Sequence, residues 1–271
     1  MIIGNLEFIW ILSFDICHSQ SMSLRTIKLT IEYDGTNFQG WQLQIPPNRT
    51  IQDEIEKVLS KITKENVRVI GSGRTDSGVH AFGQVAHFKT KSTLPASTFL
   101  KALNYHLPKD ISVLRVQQVK KTFHAQFNAK KKIYRYTILN RVAPSAQQRN
   151  FVYQFPYPLN VAAMKREAKA LVGRKDFRSF QAANAKGKKG MGTVRTIKKF
   201  LIRRKENLIS IEIEANGFLY KMVRNIVGTL LDIGTGKLPS GCLKKILAQK
   251  NRAAASKTAP AHGLCLVKVK Y

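Results

Sequence analysis

Apolar side chains at Ile27, Leu29, Ile31 and Tyr33 alternate with polar ones, the period-two pattern of a strand with one buried face, and Asp34-Gly35 ends it as a turn. Thr50 followed by Asp53 reads as a capping box, and Ile51, Ile55, Val58, Leu59 and Ile62 then recur at helical spacing on one face. Strand-like runs are predicted at residues 67–70 and 84–88, a helix at 97–105 and a strand at 111–119. The first half therefore alternates β and α.

The second half echoes it. Tyr134, Tyr136 and Ile138 form a strand pattern, a helix is predicted over 161–172, and strands resume at 195–202 and 208–215. A long helix over 218–233 would turn Leu219, Met222, Val223, Ile226, Val227 and Leu230 inward, and a last strand covers 264–269. Periodicity breaks at residues 143–149, where Pro144, Ser145, Gln147 and Gln148 intervene. This divides the chain into a leader (1–22), an N-terminal α+β half (23–142) and a C-terminal α+β half (143–271), each built on mostly antiparallel strands.

Composition changes the picture through charge. The chain has 271 residues, 44% of them hydrophobic, enough for a substantial core. Lys and Arg number 46 against 16 Asp and Glu, a formal charge of +30. Self-repulsion of this size points to a polyanionic partner, nucleic acid or an anionic membrane surface. The membrane is disfavoured, because no stretch approaches the roughly 18 apolar residues needed to span it and the basic residues are not gathered on one amphipathic helix. Cys17, Cys242 and Cys265 are too far apart for paired metal ligands and odd in number for a disulfide framework, which suits a reducing, cytoplasmic location. The six histidines, at 18, 80, 87, 106, 124 and 262, show no metal-binding spacing, so structural or RNA-contact roles are expected. The leader is apolar around residues 8–14 but lacks the basic start and cleavage site of a signal peptide. Met22 directly precedes the first patterned strand, so the leader reads as a misread start or a dispensable extension.

The segment richest in chemistry is the loop 71–80, Gly-Ser-Gly-Arg-Thr-Asp-Ser-Gly-Val-His, which sets one acid, Asp76, among three glycines between two strands. The glycines permit unusual backbone angles and close approach of a ligand, and Arg74 can answer the charge of Asp76 or touch a phosphate. An ionised carboxylate can serve as nucleophile or base. The bland reading is a tight turn capped by Asp76 with Arg74 solvated, and for an isolated glycine-rich turn that reading is the commoner one. No Lys-Ser/Thr follows the glycines as in a nucleotide-binding loop.

This loop resembles the signature of TruA-type tRNA pseudouridine synthases, and the resemblance continues in order along the chain. It takes in Glu32-Tyr33-Asp34-Gly35 with Gly40-Trp41-Gln42, then Gly83-Gln84-Val85, then Phe123-His124-Ala125 leading to Lys132-Ile133-Tyr134-Arg135-Tyr136. Asp176-Phe177-Arg178-Ser179-Phe180, Met222-Val223-Arg224-Asn225-Ile226-Val227-Gly228 and the segment 259–271 complete it. Departures are small: Ser72 and Ser77 stand where alanine is common, Lys221 where asparagine or histidine is frequent, and Cys265 where tyrosine is frequent.

The resemblance implies the pseudouridine synthase fold, α+β, with two α/β halves of mostly antiparallel sheet flanked by helices. It makes Asp76 the catalytic nucleophile with Arg74 supporting, and gives Tyr134 and Arg224 to substrate binding, Arg224 approaching the carboxylate. By pattern alone Tyr134 would more often be a core residue. It further implies a reaction without cofactor or metal, a homodimer, and tRNA as substrate, modified at positions 38, 39 and 40 of the anticodon stem-loop. Since a stacked base is out of reach, the target must be flipped out, and Tyr134 could offer it an aromatic face or a proton-transferring hydroxyl. Basic clusters at 130–132, 186–189 and 203–205 could track a phosphate backbone, and residues 185–192 read as a flexible basic loop that orders on tRNA. Two rivals are weaker: a non-catalytic basic RNA-binding or ribosome-associated protein leaves Asp76 unexplained, and a carboxylate hydrolase would need a second acid or a metal cluster that is not visible.

Overall fold

A computed structural model describes residues 23–44, 48–183 and 192–271. The leader and most of the basic loop expected at 185–192 therefore lie outside the described residues. The first half contains β1 (Arg25–Tyr33), α1 (Ile51–Thr63), β2 (Ile70–Gly71), β3 (His80–Thr90), α2 (Ala96–His106), β4 (Ile111–Val119) and β5 (Lys131–Leu139). Then follow β6 (Tyr153–Gln154), α3 (Val161–Ala168), β7 (Gly173–Asp176), β8 (Val194–Lys205), β9 (Leu208–Ala215), α4 (Met222–Gly234), α5 (Cys242–Gln249) and β10 (Leu264–Lys270).

These strands form one ten-stranded sheet in the order β4-β1-β3-β10-β5-β9-β8-β7, with β2 beside β3 and β6 beside β5. The fold is α+β and the sheet mostly antiparallel, as expected. What the pattern did not reveal is that the sheets of the two halves are continuous. Strand β10 enters between β3, to which it is parallel, and β5, to which it is antiparallel. One row of paired residues consequently crosses both halves, from Ala81 through Leu266 and Tyr134 to Ile213.

Alternation sets the core. Ile209, Ile211, Ile213 and Ala215 on β9 are fully buried while the residues between them are not, and Ile27, Leu29, Ile31 and Tyr33 do the same on β1. The helix at 51–63 starts where the cap was predicted, with the Thr50 side chain accepting the Asp53 amide. Three predicted elements differ. Of residues 67–70 only Ile70 enters the sheet, because the Val69 amide is taken by the Glu56 side chain on α1 at 2.8 Å instead of by a neighbouring strand. The helix predicted at 161–172 is α-helical to Ala168 and finishes as a 3-10 turn over Lys169–Leu171. The helix predicted from 218 begins at Met222, since Lys221 takes a left-handed φ of 58° and interrupts the helical run. That interruption frees residues 218–220 to line a cleft.

His87 on β3 is buried and accepts a hydrogen bond from the Ala125 amide, with the His124 ring 4.9 Å away. Burial, then repulsion from His124, pushes its pKa down from 6.5 to about 4. Between these values the unfolded chain binds more protons than the folded one, so the stabilisation is complete above pH 6.5 and is lost as pH falls towards 4. The expected loss is on the order of 2 kcal/mol, and urea melts at pH 7 and 4.5 check it: His87→Gln should flatten the acid limb, and an unchanged limb would contradict the assignment.

Candidate active site

Residues 72–79 leave β2 and re-enter the sheet at β3, and their course is fixed from several sides. The buried Gln84 side chain on β3 accepts from the Ser72 hydroxyl at 2.7 Å and donates to the Gly73 carbonyl at 2.9 Å. Tyr33, at the end of β1, shares a 2.8 Å hydrogen bond with the Thr75 hydroxyl, and the Lys132 ammonium on β5 donates to the Ser72 carbonyl at 2.6 Å. The turn after β1 forms the other wall: the Trp41 amide donates to the Thr75 carbonyl at 3.1 Å and Ser77 Oγ to the Phe38 carbonyl at 3.1 Å. The separate motifs at 32–42, 71–80 and 83–85 are thus one structure.

Gly40 shows why glycine is required in that turn. Its φ is +93°, and a Cβ there would lie 2.6 Å from the Thr75 carbonyl oxygen and 3.1 Å from the Asp76 carbonyl carbon. Gly40→Ala should displace the acidic loop itself and lower turnover by about 10²-fold, the scale of an ångström misplacement. Turnover within twofold of wild type would show that the loop tolerates the shift.

The loop presents Asp76 to Arg224, the third residue of α4. Arg224 Nη1 donates to Asp76 Oδ2 at 2.6 Å, and its Nε donates to the Ala259 carbonyl at 2.8 Å, which aims the guanidinium. The two side chains are only 18% and 14% exposed, so this is a largely buried charge-assisted pair. Asn225, the next residue, donates to the Phe180 carbonyl and accepts from Thr258, so the 176–180 and 258–260 segments hold the start of α4. Arg74, in contrast, is exposed on the cleft wall and makes no ion pair among the described residues. The pairing that the sequence left open between Arg74 and Arg224 falls to Arg224.

Asp76, Arg224, Arg74 and Tyr134 line one cleft of about 930 Å³, large enough for an extruded nucleotide. Tyr134 is a buried aromatic of its lining, edge-on to Phe218 with ring centroids 5.0 Å apart. Burial, and then the neighbouring Tyr33 and Asp76, raise its pKa well above the ordinary phenol range. The hydroxyl is therefore a neutral donor at physiological pH rather than a phenolate base. His80, by contrast, is structural: Nδ1 accepts the Gly35 amide at 3.0 Å, leaving Nε2–H to face the Asn150 carbonyl at 2.8 Å. Asp34 Oδ1, 3.1 Å from the same Nδ1, faces a lone pair in that tautomer.

Sequence reasoning missed Gln84 and Tyr33 as supports of the loop and Phe218, Lys132 and Arg195 as parts of the cleft. A glutamine in the middle of an apolar strand was the available signal for Gln84. Nothing local marks Arg195.

An acid held by arginine within a glycine-rich loop, in a basic cleft that also holds a buried tyrosine, defines an RNA-modifying isomerase when the chain's relatives are added. The family model described as tRNA pseudouridine synthase matches residues 29–128 and 168–271, and the chain belongs to that family. It is 45% identical over 248 residues to tRNA pseudouridine synthase A of Thermoanaerobacter sp. (strain X514), covering 92% of this chain and 100% of the relative. It is 47% identical over 248 residues to tRNA pseudouridine synthase A 2 of Clostridium perfringens, again 92% and 100% covered. To tRNA pseudouridine synthase A of Halalkalibacterium halodurans it is 48% identical over 242 residues, 89% of this chain and 90% of that one.

Proposed function

We propose that this protein isomerises uridine to pseudouridine at positions 38, 39 and 40 in the anticodon stem-loop of tRNA, with Asp76 as nucleophile. The observation that carries the reading is the 2.6 Å Asp76–Arg224 pair at the wall of a cleft that also holds Tyr134. The bond from ribose C1′ to uracil N1 breaks, the uracil rotates in place, C1′ joins C5, and the C5 proton leaves while N1 regains one. Atoms balance without redox change or external reagent. A carboxylate beside the target nucleotide serves this either by adding covalently or by assisting a glycal intermediate. Arg224 positions it, and the neutral Tyr134 offers the turning base an edge and a hydrogen-bond donor. Arg74 supports from the cleft wall, where a phosphate of the opened strand can reach it.

We further propose that the working unit is a cytoplasmic homodimer with one tRNA across both subunits, an inference from the family resemblance that sedimentation of the protein with tRNA tests. Recognition of several neighbouring positions calls for shape and phosphate contacts rather than one base sequence, which the +30 charge suits. Unmodified tRNA carrying tritium at C5 of the anticodon-arm uridines tests the activity: the protein should release tritium to water. Tight binding without release from any of several tRNAs would leave a non-catalytic RNA-binding protein as the better account.

A further inference from the structure

The cleft carries more positive charge than its carboxylate can use. Its lining includes Arg68, Arg74, Lys132, Arg195, Lys221 and Arg224, whereas Asp76 is its sole acid among the described residues. Asp76 is already answered by Arg224, and Arg68 faces Glu56 at 3.6 Å. Of the half-buried cations without an acidic partner among the described residues, Lys221 lies over the Tyr220 ring, whereas Lys132 and Arg195 are close enough to repel each other.

Buried charges are ordinarily paired, so two unpaired cations on one cleft wall ask for an anion. Their hydrogen bonds leave room for it. Lys132 spends one of its three donors on the Ser72 carbonyl, and Gly73 leaves space for the ammonium, since a Cβ there would lie 2.7 Å from Nζ. Arg195 uses Nη1 on the Gly192 and Val194 carbonyls, which leaves the Nε–Nη2 edge, the edge suited to bidentate phosphate contact. Burial, then the positive charge of Arg195, pushes the Lys132 pKa down to about 8, as expected of a cation whose counter-ion arrives with the ligand.

Uracil and ribose are neutral, so the anion that an RNA substrate brings to this wall is a backbone phosphate. We propose that Lys132 and Arg195 form a phosphate subsite, gripping a phosphodiester next to the flipped uridine and thereby setting the position of its ribose against Asp76. This rests on the RNA-substrate reading above. It is separate from the support that Lys132 gives to the loop.

The test is a binding cycle on anticodon stem-loop RNAs in which single phosphates near the target uridine are replaced by neutral methylphosphonates, with Kd measured for wild type, Lys132→Gln, Arg195→Gln and Lys132→Arg. At one position neutralisation should weaken wild type about tenfold, as loss of a charge-assisted hydrogen bond does, and weaken either Gln variant less than about twofold. Each Gln variant should also lower the slope of log K against log salt by about 0.7 to 0.9, with Lys132→Arg keeping the wild-type slope. If the Gln variants lose the same factor as wild type at every neutralised phosphate, the subsite does not exist. If Lys132→Gln lowers turnover with Kd and salt slope unchanged, Lys132 is a loop support alone and the proposal falls. Tritium release by wild type from the unmodified RNA reports on isomerisation separately, so loss of either conclusion is distinguishable from loss of the other.

Discussion

Asp76→Asn is expected to release no measurable tritium from C5-labelled tRNA, a fall in kcat of about 10⁴-fold or more, as when the attacking group of an enzyme is removed. The amide is nearly isosteric, so the loop, held by Gln84, Tyr33 and Trp41 rather than by the carboxylate, should keep its course. Affinity for the stem-loop RNA should stay within a few-fold of wild type, because removing one negative charge from a cationic cleft does not oppose a polyanion. Turnover above a tenth of wild type would remove Asp76 from the chemistry. Lost RNA binding would instead make it a structural residue.

Arg224 is the second residue whose loss should be severe, and it should be severe in two measurements at once. Arg224→Met leaves the largely buried carboxylate of Asp76 without its partner, which is expected to cost about 3–5 kcal/mol in urea unfolding. Combining it with Asp76→Asn should recover much of that loss, since the penalty belongs to the unpaired charge rather than to the missing contact. Arg224→Lys keeps the charge but cannot span both Asp76 Oδ2 and the Ala259 carbonyl as the guanidinium does at 2.6 and 2.8 Å. It should fold and yet lose about 10²-fold in kcat, reflecting an acid no longer aimed. Additive losses in the double variant, or full activity in Arg224→Lys, would each contradict this role.

The sequence disclosed the elements whose signals are local. The cap at Thr50, the alternation of β1 and β9 and the spacing of α1 each depend on neighbours a few residues away, and the observed elements follow them. The start of α4 differs because a left-handed lysine carries no compositional mark, and the run before Ile70 because a glutamate side chain on another element takes the Val69 amide. Within the site, the family motifs brought Asp76, Tyr134 and Arg224 to notice, and all three line the cleft. The support by Gln84 was hidden in a short motif, and the unpaired state of Lys132 and Arg195 could not be read at all. Pairing is a property of what stands opposite, and that was decided by strands far apart in the chain.

The entry of β10 between β3 and β5 has a kinetic consequence. His80 pairs with Cys265, and the Asp76–Arg224 contact spans 148 positions, so the proposed catalytic geometry is made of very distant contacts. During synthesis the two halves can each form hairpins early, but the seam between them stays open until the ribosome has released the strand that closes it. A nascent chain that has emerged only as far as α5 would expose the unpaired edges of β3 and β5 and hold no working centre. Competence should therefore appear abruptly once β10 has emerged, and chaperone dependence should concentrate before that point.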